Sequence, residues 1–214
     1  WSTMEDAGYT LQQLKNYNVS VYAGVMYGHY QLHNVDSALN GDVPVQSSSY
    51  SSIANRVSYV MDLSGESIAV DTMCSSSLTA IHLACESIVN GRSDMAFAGG
   101  VNISSHPLKY IMLCQQKFLS TDGRCRSFGD GGDGYVPCEG VGTVLLKSLE
   151  DAQRDGDKIY GVIKASAVNH GGKTSGYSVP NPNAQAKMIK EAVERSGIVP
   201  ESVNYLEAHG TGTG

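Results

Sequence analysis

The stretch Val70-Asp71-Thr72-Met73-Cys74-Ser75-Ser76-Ser77-Leu78 joins an apolar run to a segment of small, hydroxyl-bearing residues. The run Ser67–Thr72 is typical of a buried strand, and residues 78–89 carry an apolar stripe at helical spacing. This pattern predicts a tight strand-to-helix turn with Cys74 at the helix N-terminus. The partial positive charge of a helix N-terminus favours the thiolate, so Cys74 is a candidate nucleophile for an acyl group.

A single cysteine also has a simpler interpretation, because free cysteines are among the most buried residues and usually pack as small apolar side chains. The far end of the chain favours the nucleophile. The motif Glu207-Ala208-His209-Gly210-Thr211-Gly212-Thr213 follows a strand-like run, Val203–Leu206, and places His209 at the mouth of a Gly/Thr loop. A cysteine and a histidine at the ends of separate strands are typical of a convergent active site.

Motifs spread along the chain resemble the β-ketoacyl synthases (ketosynthases) of the thiolase superfamily, and more narrowly the ketosynthase domains of modular type I polyketide synthases. The matching stretches are Trp1–Tyr9 (W-x-x-x-E-D-A-G-Y), Asp71–Leu78 (D-T-x-C-S-S-S-L), the glycine loop Arg126–Val136 and Glu207–Thr213 (E-A-H-G-T-G-T). The resemblance covers essentially the whole chain, and the motifs are specific because they occur together and in order. Met73 and the segments 169–173 and 179–185 are similar to synthases whose acyltransferase acts in trans.

Strand-like stretches, among them Ile159–Val168 and Val203–Leu206, alternate with helix-like stretches along the chain, which favours an α/β fold with a parallel or mixed sheet. The resemblance implies a thiolase-like five-layer αβαβα sandwich, of which this chain supplies the first half and the start of the second. No linker divides the sequence, so we expect one partial ketosynthase domain over residues 1–214. Because Trp1 opens inside a motif and Gly214 stops inside a loop, we expect a domain truncated at both ends and inactive alone.

Charge and composition argue against several classes of partner. The net charge of −6 and the pI of about 5.4 disfavour nucleic acids and anionic membrane surfaces. No apolar run approaches the roughly 18 residues of a spanning helix. The 5 cysteines are scattered and form no CxxC pair, which fits reduced thiols in a cytosolic protein. We therefore predict a cytoplasmic protein that binds neither nucleic acid nor membrane.

The resemblance implies a reaction and assigns roles in it. Cys74 accepts an acyl chain from the phosphopantetheine arm of an acyl carrier protein, and decarboxylative Claisen condensation with a malonyl-type carrier thioester extends that chain. His209 donates a hydrogen bond to the extender thioester and stabilises the enolate. Thr211 and Thr213 bind the amides of the pantetheine arm, unless their hydroxyls serve only the local turn. The resemblance also implies a homodimer with no bound cofactor, and places a second catalytic histidine and a lysine beyond Gly214.

Other functions remain open. A thiolase-type enzyme acting on coenzyme A esters would carry a second cysteine in place of a histidine, and the serine-rich turn argues against it. A non-elongating gating domain would hold an acyl chain on Cys74 and pass it on without condensation. A β-ketoacyl synthase of the fatty-acid type is a further alternative.

An Asp/Gly loop, one glutamate and two histidines could suggest metal or catalytic sites, but we predict structural roles for them. Asp130–Gly134 alternates Asp and Gly, yet it lacks the bidentate Glu of an EF-hand, so we expect a glycine loop and no metal. Glu139 is expected to be a buried, paired carboxylate. The polar segment 29–47 is expected to be a surface loop, which makes His29 and His33 solvated loop residues.

Overall fold

The computed structural model describes residues 1–42 and 48–213. Its elements are α1 Ser2–Asp6, α2 Leu11–Leu14, β1 Val19–Gly24, α3 Tyr30–Leu39, α4 Ser51–Met61, β2 Ser67–Val70, α5 Ser76–Val89, β3 Met95–Asn102, α6 Leu108–Gln115, β4 Gly140–Lys147, α7 Leu149–Asp155, α8 Pro182–Ser196 and a 3-10 turn Pro200–Ser202. They form two compact units: residues 1–147 with the segment from Ala208 onward, and Ser148–Glu207.

The first unit is built on a four-stranded mixed sheet in the order β2-β1-β3-β4. Strand β1 is parallel to β2 and β3, with Gly24 opposite Val70 and Gly100, whereas β4 is antiparallel to β3. The parallel strands β2, β1 and β3 therefore end at one edge of the sheet, where the turn that bears Cys74 begins. The α/β class expected from the sequence is confirmed.

Alternating residues of the central strands bury two separate apolar clusters, because successive side chains of a strand point to opposite faces. The two clusters consist, first, of Met4, Leu14, Val19, Val21, Ala54, Met61, Met95 and Phe97 and, second, of Tyr22, Val70, Ala80, Ala84, Ala96 and Ala98. The first cluster lies under α1, α2 and α4, and the second lies under α5. Helix α5 presents alanines to the sheet, so its backbone approaches the strands closely.

Two glycines at the carboxyl edge allow this close approach. A Cβ atom on Gly24 would lie 2.6 Å from the backbone nitrogen of Ser77, and one on Gly100 would lie 2.8 Å from the Cβ of Ser77. Real Cβ atoms do not come so close to backbone. The start of α5 therefore rests directly on the ends of β1 and β3, which fixes the position of the preceding turn.

The second unit contains α7, α8 and the 3-10 turn. The side chain of Asn181 caps α8 by accepting hydrogen bonds from the backbone of Asn183 and Ala184, and Gly197 ends the helix with a φ of 65°. The strands predicted at Ile159–Val168 and Val203–Leu206 were wrong, since both segments are irregular. A strand needs a paired neighbour, and within the described part of the chain these segments have none.

The prediction of a loop from residue 29 was also wrong, because Tyr30–Leu39 forms helix α3. Leu32, Val35 and Leu39 recur at helical spacing, but polar residues dominate the segment and no residue of α3 is buried. Residues 43–47 of the predicted loop lie outside the described residues. Across residues 1–42 and 48–213, no helix combines the length and apolar character needed to cross a membrane.

Candidate active site

Cys74 lies in the turn between β2 and α5, and its side chain is exposed. Ser75 is the N-cap of α5, so the predicted position of Cys74 at a strand-to-helix turn is confirmed. The preceding residue, Met73, has a φ of 58°, a left-handed conformation that costs a non-glycine residue about 1 kcal/mol. The carboxylate of Asp71 accepts a hydrogen bond from the Met73 backbone at 3.0 Å and supports this strained turn.

Serine and threonine hydroxyls satisfy the backbone of the same turn. The Ser76 hydroxyl accepts from the Thr72 backbone N–H at 2.9 Å and donates to the Met73 carbonyl at 2.6 Å. The Ser75 hydroxyl donates to the Thr72 carbonyl at 2.8 Å. The serines after Cys74 thus hold the backbone of the turn, while the thiol itself faces outward.

Two tyrosines lie within electrostatic reach of Cys74. Burial raises the pKa of Tyr27, and negative charge on Cys74 raises it further. Burial also raises the pKa of Tyr135, with smaller contributions from Tyr27 and Cys74. Sequence analysis missed both residues. The available signals were the position of Tyr27 just after β1, at the edge where β2 also ends, and the position of Tyr135 in the glycine loop.

His209 is exposed and begins a segment that lies on the glycine loop. Three hydrogen bonds hold this segment: Ser127 Oγ to the Gly210 carbonyl, Cys125 Sγ to the Thr211 carbonyl at 3.4 Å, and the Gly134 N–H to the Gly212 carbonyl at 3.1 Å. Gly212 has a φ of 68°, which explains the glycine at that position.

No direct hydrogen bond links the two predicted catalytic residues: within the described residues, none joins the Cys74 thiol to the His209 ring. Tyr135 of the glycine loop lies within electrostatic reach of Cys74, and the N–H of the adjacent Gly134 donates to the Gly212 carbonyl in the segment that begins with His209. Cys74 and His209 belong to the same compact unit.

The hydroxyls of Thr211 and Thr213 are 3.0 Å apart and bond to each other. Thr211 is half-buried and Thr213 is exposed. A hydroxyl has one donor and two acceptor positions, so this pair retains capacity for a further partner. Both threonines follow His209 on the segment that the glycine loop holds.

Two carboxylates, Asp133 in the glycine loop and Asp122 just before it, bond to neighbouring parts of the chain. Asp133 accepts hydrogen bonds from the backbone and side chain of Thr121. Asp122 forms a two-point ion pair with Arg126, at 2.6 and 3.0 Å, which holds the pKa of its carboxyl far below the usual range. Within residues 1–42 and 48–213, no group of three or more His, Cys, Asp or Glu side chains is placed to hold a metal ion.

Lys109 is a buried cation that the sequence did not predict. It lies in the first turn of α6 and is 2% exposed. Its ammonium donates to Asn102 Oδ1 at 2.7 Å and Ser104 Oγ at 3.0 Å, and it lies 4.9 Å from the centre of the Tyr27 ring. Burial lowers the pKa of Lys109, and the charge of Glu139 partly offsets this. Glu139 is exposed, which corrects the prediction of a buried carboxylate, and it accepts from the Ser104 backbone.

The predicted loop histidines belong to an ordered cluster. His29 is the N-cap residue of α3, and burial lowers its pKa. His33 lies within α3; its Nε2 contacts the Ser105 carbonyl at 2.6 Å, and its ring centre is 5.3 Å from that of His106. The prediction of solvated loop histidines was therefore wrong for His29, which is half-buried. For His33 it was wrong about the loop, although that side chain is exposed as predicted.

The chain belongs to the β-ketoacyl synthase family. The profile of the β-ketoacyl synthase N-terminal domain matches residues 1–152, and that of the C-terminal domain matches residues 160–214. The chain is 60% identical to the polyketide synthase PksL of Bacillus subtilis and 56% identical to the polyketide synthase ThaG of Burkholderia thailandensis. Both alignments cover 100% of this chain but only 5% and 4% of those proteins.

Solved structures confirm the fold. The ketosynthase domain OzmH KS7 of oxazolomycin biosynthesis from Streptomyces albus is 59% identical and superposes with a TM-score of 0.97 over 100% of this chain and 37% of its own. The ketosynthase from module 6 of the bacillaene synthase of Bacillus subtilis is 41% identical, with a TM-score of 0.89 over 98% of this chain and 36% of its own. The thiolase-like α/β fold inferred from the motifs is thus the fold of this chain.

Proposed function

We propose that this chain is part of a ketosynthase domain that elongates a polyketide by decarboxylative Claisen condensation, within a longer polypeptide. The observation that carries the proposal is the exposed Cys74, held on a strained strand-to-helix turn at the start of α5. Membership in the β-ketoacyl synthase family supports it.

In the first step, the Cys74 thiolate attacks the acyl thioester of a carrier protein. A new thioester forms on Cys74, and the thiolate of the phosphopantetheine arm leaves. The backbone N–H of Cys74, close to the start of α5, is the candidate donor to the oxyanion that forms in this attack. Sulfur suits the task because the thioester it forms remains electrophilic.

In the second step, the extender thioester loses carbon dioxide, and its enolate attacks the carbonyl of the acyl group on Cys74. The new carbon–carbon bond leaves a β-ketoacyl chain on the carrier and returns Cys74 to the thiolate. We assign to His209 a hydrogen bond to the extender carbonyl, which stabilises the enolate. We propose that the hydroxyls of Thr211 and Thr213 bind the amides of the pantetheine arm. Thr211 is half-buried and Thr213 is exposed.

We further propose an acyl carrier protein as partner, a homodimer as the assembled state and a cytoplasmic location. Within the described sheet, strand β2 lies at the edge with Ile68 exposed, so its outer backbone can pair with a second copy. The similarity of Met73 and of segments 169–173 and 179–185 to synthases with a separate acyltransferase supports that subtype. No cofactor is needed, because both substrates arrive as carrier thioesters.

Intact-mass measurement of the full-length protein with an acyl-carrier thioester tests the first step. We expect a mass increase of one acyl group that disappears in Cys74→Ala and persists in Cys114→Ala, a matched change of another exposed cysteine. Labelling that survives Cys74→Ala would contradict the assignment. Addition of malonyl-carrier then tests elongation: a carrier-bound β-ketoacyl product supports it, and an acyl group that stays on Cys74 favours a non-elongating domain.

A further inference from the structure

We propose that Lys109 is a positioning residue that fixes the Tyr27 ring beside Cys74, and so orients the acyl chain as it is transferred to the thiol. This inference rests on the acyl transfer proposed above and extends it to a residue outside the four motifs that carry the family resemblance.

The ammonium of Lys109 meets three segments that converge at the carboxyl edge of the sheet. Asn102 ends β3, Ser104 lies in the following loop, and Tyr27 follows β1. Asn102 in turn donates to the carbonyl of Cys138, just before β4. One side chain therefore ties together the chain after β1, the end of β3 and the approach to β4.

The Tyr27 ring lies between Lys109 and His29. The Lys109 ammonium lies over the ring, an attraction that strengthens when the cation is removed from water. The centre of the His29 ring lies 5.1 Å from that of Tyr27.

Tyr27 and the turn that bears Cys74 follow the paired ends of β1 and β2, where Gly24 lies opposite Val70 and the Val25 N–H donates to the Val70 carbonyl at 2.9 Å. Displacement of the Tyr27 ring therefore changes the surface that an acyl group meets at the thiol.

Lys109 contributes hydrogen bonds as well as position. Its ammonium is buried among neutral hydrogen-bond partners, and among the described residues no carboxylate lies within ion-pair distance of it. Lys109→Met removes this cation and leaves Asn102 Oδ1 and Ser104 Oγ without a donor, so the change also lowers stability. Positioning is separated from stabilisation by comparison with Ser87→Ala, which also removes a buried donor but lies at the far end of α5.

The test compares Lys109→Met with wild type in the full-length protein, with Lys187→Met, a change of an exposed lysine on α8, as the control. We expect the maximal rate of acyl transfer to Cys74 to fall about tenfold, as expected for a misoriented reactant. The KM for the acyl-carrier thioester should stay near its wild-type value. Ser87→Ala should load at the wild-type rate even though its melting temperature also falls. Wild-type loading by Lys109→Met, or an equal loss of loading in Ser87→Ala, would overturn the proposal.

A double-mutant cycle tests whether Lys109 acts through Tyr27. Tyr27→Leu removes the ring and should slow acyl transfer about as much as Lys109→Met. The double variant Lys109→Met/Tyr27→Leu should be no slower than either single variant. Additive losses would mean that the two residues act independently, which contradicts the proposed positioning.

Alkylation of Cys74 provides a readout that does not need the carrier protein. We compare the rates of modification of Cys74 by N-ethylmaleimide and N-hexylmaleimide, followed by peptide mass mapping. Lys109→Met should change the ratio of these two rates, and Lys187→Met should not. If wild type accepts no acyl group but the ratio of the two rates changes in Lys109→Met, the proposed function fails and the positioning of Tyr27 stands. If the ratio is unchanged in Lys109→Met, the positioning is refuted.

Discussion

The two ends of helix α5 use the same residue types in opposite ways. At its start, Ser75 and Ser76 hold a strained turn that exposes Cys74. At its far end, Ser87 is fully buried and forms hydrogen bonds with Ser93 at 2.7 Å and with Glu66 at 2.9 Å. The hydroxyls at the start of α5 hold the backbone of the turn that exposes Cys74. The Ser87 hydroxyl at the far end forms hydrogen bonds with other polar side chains in the interior.

The far end forms a closed polar network. Ser20 bonds to Ser93 at 2.6 Å and accepts from the Glu66 backbone at 2.8 Å, while Tyr22 donates to the Glu66 carboxylate. Each of these hydroxyls has a partner, as burial requires. Backbone strain therefore lies just before the start of α5, at Met73, whereas a buried network of side chains lies at its far end, so substitutions at the two ends should have different effects.

The largest effect on stability is expected at the start of the helix, from Gly24→Ala. The added Cβ would lie 2.6 Å from the Ser77 backbone nitrogen, so the strand and helix must separate. We expect the free energy of unfolding to fall by about 3 kcal/mol, at the upper end for overpacking, as measured by urea denaturation. Gly142→Ala is the control because nothing lies within 4 Å of its added Cβ. Equal effects of the two changes would contradict the close packing of α5.

A smaller loss is expected at the far end from Ser87→Ala. The change removes the donor to Glu66 and leaves Ser93 with one partner fewer, in a buried site. We expect a decrease of about 2 kcal/mol in the free energy of unfolding, without loss of acyl transfer to Cys74. The exposed Ser51→Ala in α4 serves as the control and should change little. Loss of acyl transfer at unchanged stability would break the proposed division between the two ends.

The same network predicts a pH dependence. Hydrogen bonds from Tyr22 and Ser87 lower the pKa of Glu66 in the folded protein. The stability that this carboxylate contributes is therefore present above its unfolded pKa and is lost as the pH falls through the lower, folded value. Unfolding measured from pH 6 to pH 3 should show a weaker acid dependence in Glu66→Gln than in wild type. Identical profiles would exclude Glu66 as a source of the acid dependence.

The sequence predicted the features that depend on local pattern. The apolar run before Cys74 and the stripe after it are enough to predict β2, the turn and α5. The segments 159–168 and 203–206 show the limit of such patterns, because a strand exists only where another strand pairs with it. Helix α3 was missed for a different reason: its apolar residues Leu32, Val35 and Leu39 have helical spacing but stand among many polar residues, and none of them is buried.

The surroundings of Cys74 were less predictable than Cys74 itself. Lys109 was missed because lysine is almost never fully buried, so a lysine at this position was expected to be exposed to solvent. Tyr27 and Tyr135 reach Cys74 only through the pairing of β1 with β2 and the course of the glycine loop, which no local pattern encodes. A motif therefore identifies a nucleophile, whereas the residues that surround it depend on tertiary contacts.

The smallest expected effect sharpens the claim that strain is localised before Cys74. Met73 has a φ of 58°, a region that β-branched residues rarely adopt. Met73→Val should lower the free energy of unfolding by about 1 kcal/mol, whereas Met73→Gly should not lower it, because glycine adopts this conformation freely. The same pair of changes at the C-cap residue Asp62, which has a φ of 55° far from the thiol, is the control. We expect the Asp62 variants to lose stability in the same order, but only Met73→Val to slow acyl transfer as well, which would show that the left-handed turn positions Cys74. Equal transfer rates in both Met73 variants would mean that the turn only connects β2 to α5.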